Sequence, residues 1–103
     1  MAEIKKQRKG TYLLESNGMQ ETFKFDDDVA DFLKRNAKKI RYHSGEKVQN
    51  WLYKNATGKE TSLAKKIYVD FKRYNTLDRI MGKVTFHNEN NRDLRRENLT
   101  VKR

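Results

Sequence analysis

The stretch from Val84 to Val101 reads VTFHNENNRDLRRENLTV, and its reading decides how the last fifth of the chain is built. Val84 to Asn88 is β-prone and suits a strand. Taken alone, Asp93 is a helix N-cap and the RRENL run a short amphipathic helix that turns Leu94 and Leu99 toward a core. On the same plain terms His87 is a strand-end histidine, and Arg92, Arg95 and Arg96 are solvated or paired with Glu97 or Asp93.

Immediately upstream, Asn75 or Thr76 can cap a short helix, LDRIM, which Gly82 would stop. The apolar spacing of Leu63 to Phe71 suits a strand or a helix, and both stay open. Ala56 to Glu60 is a polar turn around Gly58. Lys47 to Lys54 encloses VQNWLY, a strand that offers Val48, Trp51 or Tyr53 to the core; alternation sets Trp51 and Tyr53 on one face and Leu52 on the other. Core packing is the expected fate of Trp51 rather than stacking on a base. Ser44 to Glu46 makes the turn before it.

Further toward the amino end, Asp26 opens a helix whose buried stripe is Val29, Phe32, Leu33, Ala37 and Ile40. Asp27 and Asp28 complement the positive end of its dipole, so the acidic triplet reads as helix capping rather than a metal site. Lys34, Arg35, Lys38, Lys39 and Arg41 lie on the far side of this helix. Thr11 to Glu15 and Met19 to Phe25 pair as a hairpin across the turn residues Ser16, Asn17 and Gly18. Residues 1–10, with Lys5, Lys6, Arg8 and Lys9, form a basic flexible arm. The expected fold class is therefore α+β, a single small domain over residues 1–103.

Only 35% of the residues are hydrophobic, so the core is lean for a domain of this size. The chain has no cysteine, which excludes disulfides and thiolate metal sites. MAEIKKQRKG lacks the apolar run of a signal peptide and no segment reaches membrane-spanning length, which predicts a cytoplasmic protein without a membrane partner. Net charge is +10, from 24 Lys and Arg against 14 Asp and Glu. A positive field of that size on a small domain points to a polyanion, and nucleic acid is the commonest one. The charge is uneven: residues 11–32 carry one base and six acids, residues 33–54 seven bases and one acid.

The 84–101 stretch resembles the core of the HNH nuclease family of small phage and intron-encoded endonucleases, whose pattern has the form V-D-H-I-N-G-N-x-L-D-N-R-R-E-N-L. Without a gap, Val84, Asn88, Asn90, Asp93, Arg95, Arg96, Glu97, Asn98 and Leu99 match it. TLDRIMG at residues 76–82 is similar to the L-H-R-L-I-M-G block that precedes the pattern in many phage members, with Asp78 at its His. The degenerate motif spans residues 75–103. The resemblance implies a carboxy-terminal ββα unit whose strand delivers the catalytic groups and whose final helix lies on the DNA backbone. It also implies that the groups for cutting are missing. Thr85 stands at the metal-binding Asp, Phe86 at the general base and Leu94 at the Asn that orients it. Only Asn98 remains, a vestigial and neutral ligand for a hard cation that favours carboxylates. Omitting one residue would restore His87 as the base, with Phe86 at the metal Asp.

Two functions of different class follow. The first is a DNA-binding protein derived from an HNH nuclease, with no enzymatic activity and no cofactor, held on double-stranded DNA mainly by phosphate contacts. Arg92, Arg95 and Arg96, flanked by Lys83, Lys102 and Arg103 and joined by Lys38, Lys39 and Arg41, are its expected phosphate ligands. The second is a phage-encoded inhibitor that docks its basic surface on a host bacterial protein. An active nuclease using His87 and a divalent metal is the least favoured reading.

Overall fold

The structure, a computed structural model, describes residues 2–44, 49–72 and 83–102. It is a small α+β fold with eight strands and two α-helices among those residues. Strands β1 (Glu3–Arg8), β2 (Thr11–Ser16) and β3 (Met19–Lys24) form an antiparallel sheet in that order. The expected hairpin is β2–β3. Its two-residue turn, Asn17-Gly18, has φ of 53° and 81°. Positive φ at both positions matches the twist of the flanking strands, and Asn-Gly is the pair best suited to it.

The expectation of a flexible arm at residues 1–10 is corrected here: residues 3–8 are an edge strand, with Ile4 opposite Leu14 and Lys6 opposite Tyr12. An edge strand needs apolar residues on one face only, and lysines on it are tolerated because their side chains reach water. The run of cations hid the strand.

Helix α1 (Asp27–Arg35) buries Val29 and Leu33, as its spacing predicted, and also Ala30, which the predicted stripe lacked; Phe32 and Ala37 are only half-buried, and the helix stops well short of Ile40. Asn36 leaves the helical region at φ −119° and donates from Nδ2 to the Phe32 carbonyl at 2.9 Å. A single 3₁₀ turn over Ala37–Lys39 follows, and Ile40 opens strand β4 (Ile40–Ser44). Ile40 is buried, though as the first residue of a strand. Lys38 and Lys39 thus sit on the 3₁₀ turn and Arg41 on β4, not on the helix.

Strand β4 pairs with β5 (Gln49–Lys54), and β5 with β6 (Glu60–Ser62). Trp51 and Tyr53 share the buried face, as alternation required. Residues 63–71 resolve as helix α2 (Leu63–Phe71), capped by Ser62, whose Oγ accepts from the Lys65 N–H at 3.1 Å. The cap and the buried positions Leu63, Ile67 and Tyr68 favour the helix over the strand.

Strands β7 (Lys83–Phe86) and β8 (Leu99–Lys102) pair antiparallel. The RRENL run is therefore not an α-helix: Arg96–Asn98 make one 3₁₀ turn and Leu99 begins β8. Leu94 and Leu99 are buried as expected. The short helix expected after Asn75, together with Val48 and Arg103, lies outside the described residues.

Aromatic rings knit these elements together. Phe23 stacks on Phe25 at 5.6 Å between centroids and meets Trp51 edge-on at 6.0 Å, joining the two three-stranded sheets. Phe32 of α1 packs between Tyr53 and Phe71, which brings both helices onto the second sheet. Gly18 tests the hairpin: its backbone is left-handed and there is free space around it. Gly18→Ala is expected to lower stability by about 1–2 kcal/mol, read as a lower urea midpoint at unchanged slope.

Candidate nucleic-acid interface and the loop that carries it

The β7–β8 connection starts at His87 and returns through the 3₁₀ turn, and its shape is set by side-chain-to-backbone hydrogen bonds. The Asn88 Oδ1 accepts from the Asn90 N–H at 2.9 Å, and the Asn90 Oδ1 from the Arg92 N–H at 2.9 Å. Short amides are suited to such turns because they reach a backbone donor two residues on. Glu89, between them, has φ 62°.

Asp93 is the centre of the loop and is fully buried. Its carboxylate accepts from Arg95 Nε at 2.8 Å and Nη2 at 2.7 Å, and from Asn88 Nδ2 at 3.0 Å. Arg95 and these amides hold its pKa below the usual carboxylate value, while Asp93 in turn raises that of Arg95. Asn98, also buried, donates from Nδ2 to the Asp93 carbonyl and accepts at Oδ1 from the Asn88 N–H. Both ends of the residue expected to be a vestigial metal ligand are thus engaged inside the loop.

The loop is bolted to the amino-terminal half. The Lys24 N–H bonds to the Arg92 carbonyl and the Leu94 N–H to the Lys24 carbonyl, both at 2.9 Å, so residues 92–94 cover the end of β3. The Asp26 carboxylate accepts the Arg96 N–H at 2.9 Å, and Asp28 pairs with Arg96 Nη1 at 2.6 Å. From the end of α2, the Lys72 ammonium donates to the carbonyls of Arg96 and Leu99. The acidic triplet was expected to cap α1. It remains in the first turn, but Asp26 makes no side-chain cap bond and instead docks the loop, while Asp27 accepts from the Tyr12 hydroxyl.

Each arginine expected on phosphate has a carboxylate partner within the fold: Arg92 with Glu21, Arg95 with Asp93 and Glu97, Arg96 with Asp26 and Asp28. Between 35% and 41% of each side chain stays exposed, so a phosphate would share a donor with a carboxylate. Arg41 is likewise engaged, bidentate with Glu60 at 2.5 and 2.6 Å, which lowers the Glu60 pKa. The lysines differ. Lys83 and Lys102 face each other across β7 and β8 and are exposed, and Lys38 and Lys39 border a shallow depression of about 260 Å³ with Lys54.

Lys65, unremarked in the sequence, lines a cleft of about 470 Å³ with Lys83 and Arg92 over a floor of Phe23, Leu63 and Leu94. Only the packing of α2 against β7 brings Lys65 there. Leu94 is in the core and Phe86 packs against it, while Thr85 is half-buried on β7. His87 is exposed, and only its backbone N–H is engaged, with the Asn98 carbonyl at 3.0 Å. Among the described residues no three acidic or imidazole side chains converge on one point. No protein-family model, curated protein or solved structure matches the chain.

Asp93 gives a direct test of the loop. Arg95→Ala leaves a buried carboxylate without its main partner and is expected to cost about 3 kcal/mol. Because the folded-state pKa of Asp93 is depressed, its contribution is fully present above the unfolded value and is lost as pH falls through the folded one. Asp28 and Glu60 are depressed in the same direction by Arg96 and Arg41. Urea midpoints measured from neutral pH to below about pH 3 should therefore fall for the native chain. They should fall less steeply for Asp93→Asn, which starts from a lower midpoint.

Proposed function

We propose that the chain is a DNA-binding protein that holds duplex DNA mainly through phosphate contacts and keeps the loop framework of an HNH-type nuclease without the groups that cut. The observation that carries this reading is how the charge is spent. Asp26, Asp27, Asp28, Glu60 and Asp93 are bound to partners within the fold, and so is Glu21. Arg8, Lys9, Lys24, Lys38, Lys39, Lys65, Lys83 and Lys102 have no acidic partner among the described residues. Eight cations are thus open to an external anion, on a chain whose net charge is +10.

The nuclease ancestry is supported by what the matching residues do. Asn88, Asn90, Asp93, Arg95 and Asn98 are the loop's own hydrogen-bonding set. The glycine of the family pattern falls on Glu89, whose backbone is left-handed, where glycine is favoured. Strands β7 and β8 would supply the two strands of a ββα unit; no α-helix follows β8 among the described residues. With Thr85, Phe86 and Leu94 at the reacting positions, the chain occupies DNA and does not cut it. Among the described residues no helix is long and apolar enough to cross a membrane.

Binding to a short fluorescent duplex should weaken about 10²- to 10³-fold between 50 and 200 mM salt if roughly four to six phosphates are neutralised. With magnesium or manganese present, the strands should remain intact on a denaturing gel. Cleavage lost in His87→Ala would establish the nuclease instead, and weak, salt-insensitive binding would move the target to a protein. Glu89→Gly is expected to raise stability by about 1 kcal/mol, since it relieves a left-handed residue. A lower melting temperature would count against the alignment of that turn.

A further inference from the structure

We propose that the solvent face of the first sheet, and not the β7–β8 loop, is the element that enters the major groove of the duplex. This rests on the DNA-binding reading above and names the surface that performs it. The β1–β2–β3 register arranges nine residues on that face in three rows: Arg8, Thr11 and Lys24; Lys5, Leu13 and Thr22; Glu3, Glu15 and Gln20. The opposite face carries Tyr12, Leu14, Ser16 and Phe23 and is buried against the rest of the fold. Lys5, Arg8, Thr22 and Lys24 are exposed, whereas on the central strand Thr11 is buried between its neighbours and Leu13 and Glu15 are half-buried.

The face is electrically polar along the strands. Arg8 and Lys24 stand at one end with Lys9 in the adjoining turn, and neither Arg8 nor Lys24 has an acidic partner among the described residues. At the other end Glu3 pairs with Lys5, and Glu15 accepts from Gln20. A polyanion would draw in the Arg8–Lys24 end and repel the Glu3–Glu15 end, which orients the sheet on its target.

Size and chemistry agree with this. Strands about 4.8 Å apart put the axes of β1 and β3 roughly 10 Å from each other, so the sheet lies across the mouth of a major groove about 12 Å wide and its side chains, not its backbone, reach in. Arg8 and Lys24, on the two outer strands, would reach the phosphate walls or the O6 and N7 of guanine. Thr22 and Leu13 would present a hydroxyl and methyl groups to base edges, including the methyl of thymine. Protection of an open sheet edge explains lysines on β1. It does not explain Lys24, because residues 92–94 already cover β3 there.

The test compares two double variants of the full chain for duplex binding across a salt series. Arg8→Ala with Lys24→Ala should weaken binding about 10- to 100-fold and lower the salt slope by about two, whereas Arg35→Ala with Lys59→Ala, which remove two exposed charges away from this face, should change it much less. The charge-preserving pair Arg8→Lys with Lys24→Arg should retain binding, and unchanged urea midpoints would show that the variants fold. In the native complex, guanine N7 should be protected from dimethyl sulfate and adenine N3, in the minor groove, should not. Native-like binding by Arg8→Ala with Lys24→Ala, or protection of adenine N3 alone, would overturn the assignment while leaving DNA binding intact. Absence of duplex binding by the native chain would instead remove the reading on which it rests.

Discussion

A carboxylate without exposure to water, as at Asp93, is tolerated only when its charge is matched and its lone pairs are occupied. Arg95 supplies the charge from two residues away, Asn88 a further donor, and Asn98 fixes the backbone on either side. With that centre satisfied, the segment from Asn88 to Asn98 acquires one shape without much regular secondary structure. That shape presents Leu94 and Leu99 to the core, offers the Arg96 N–H to Asp26, and lets residues 92–94 cover the end of β3. The first sheet, α1 and the β7–β8 pair are thereby tied through one small polar cluster. In a chain with so lean an apolar content, such ties carry more of the specificity of the fold than they would in a larger domain.

The same cluster explains how charge is partitioned. Acids clustered in residues 11–32 look, along the chain, like a region that repels nucleic acid. In space Asp26 and Asp28 face Arg96, Glu21 faces Arg92 and Asp27 faces the Tyr12 hydroxyl, so four of the six acids are engaged in holding the fold, while Glu15 accepts only from Gln20 and Asp31 lies outside these contacts. The arginines do the reverse of what their sequence suggests. Guanidinium forks suit phosphates, but they suit carboxylates equally well, and the local supply of carboxylates takes them first. Arg8, Lys9, Lys24, Lys38, Lys39, Lys83 and Lys102, with no acidic partner among the described residues, are left to face outward.

The proposed relation to the HNH pattern has a definite physical content. The residues that match are turn-forming amides, a buried Asp–Arg pair and a core leucine, all of which are needed to build a loop between two strands. Under the proposed relation, Thr85, Phe86 and Leu94 are the differing residues that would stand at the reacting positions, while His87, Glu89 and Arg92 differ outside them. Phe86 and Leu94 contribute to packing.

The sequence by itself determined the features that depend on neighbours in the chain. The Asn17-Gly18 hairpin, the apolar stripe of α1, the alternation of Trp51 and Tyr53, and burial of Leu94 and Leu99 were all legible, because turn chemistry and periodicity act over a few residues. Tertiary structure alone decided the rest. Residues 3–8 became a strand because β2 offered them a ladder, although their composition reads as a solvated arm. Helix α1 ended at Asn36 because Ile40 was needed in β4, and periodicity cannot distinguish a buried helical position from a buried strand position in a single residue. Residues 63–71 had spacing for either state, and docking on β5, β6 and β7 selected the helix. The roles of Arg92 and Arg96 were undecidable from charge alone, since Glu21, Asp26 and Asp28 lie some 70 positions away in the chain and within hydrogen-bonding or ion-pair distance in space.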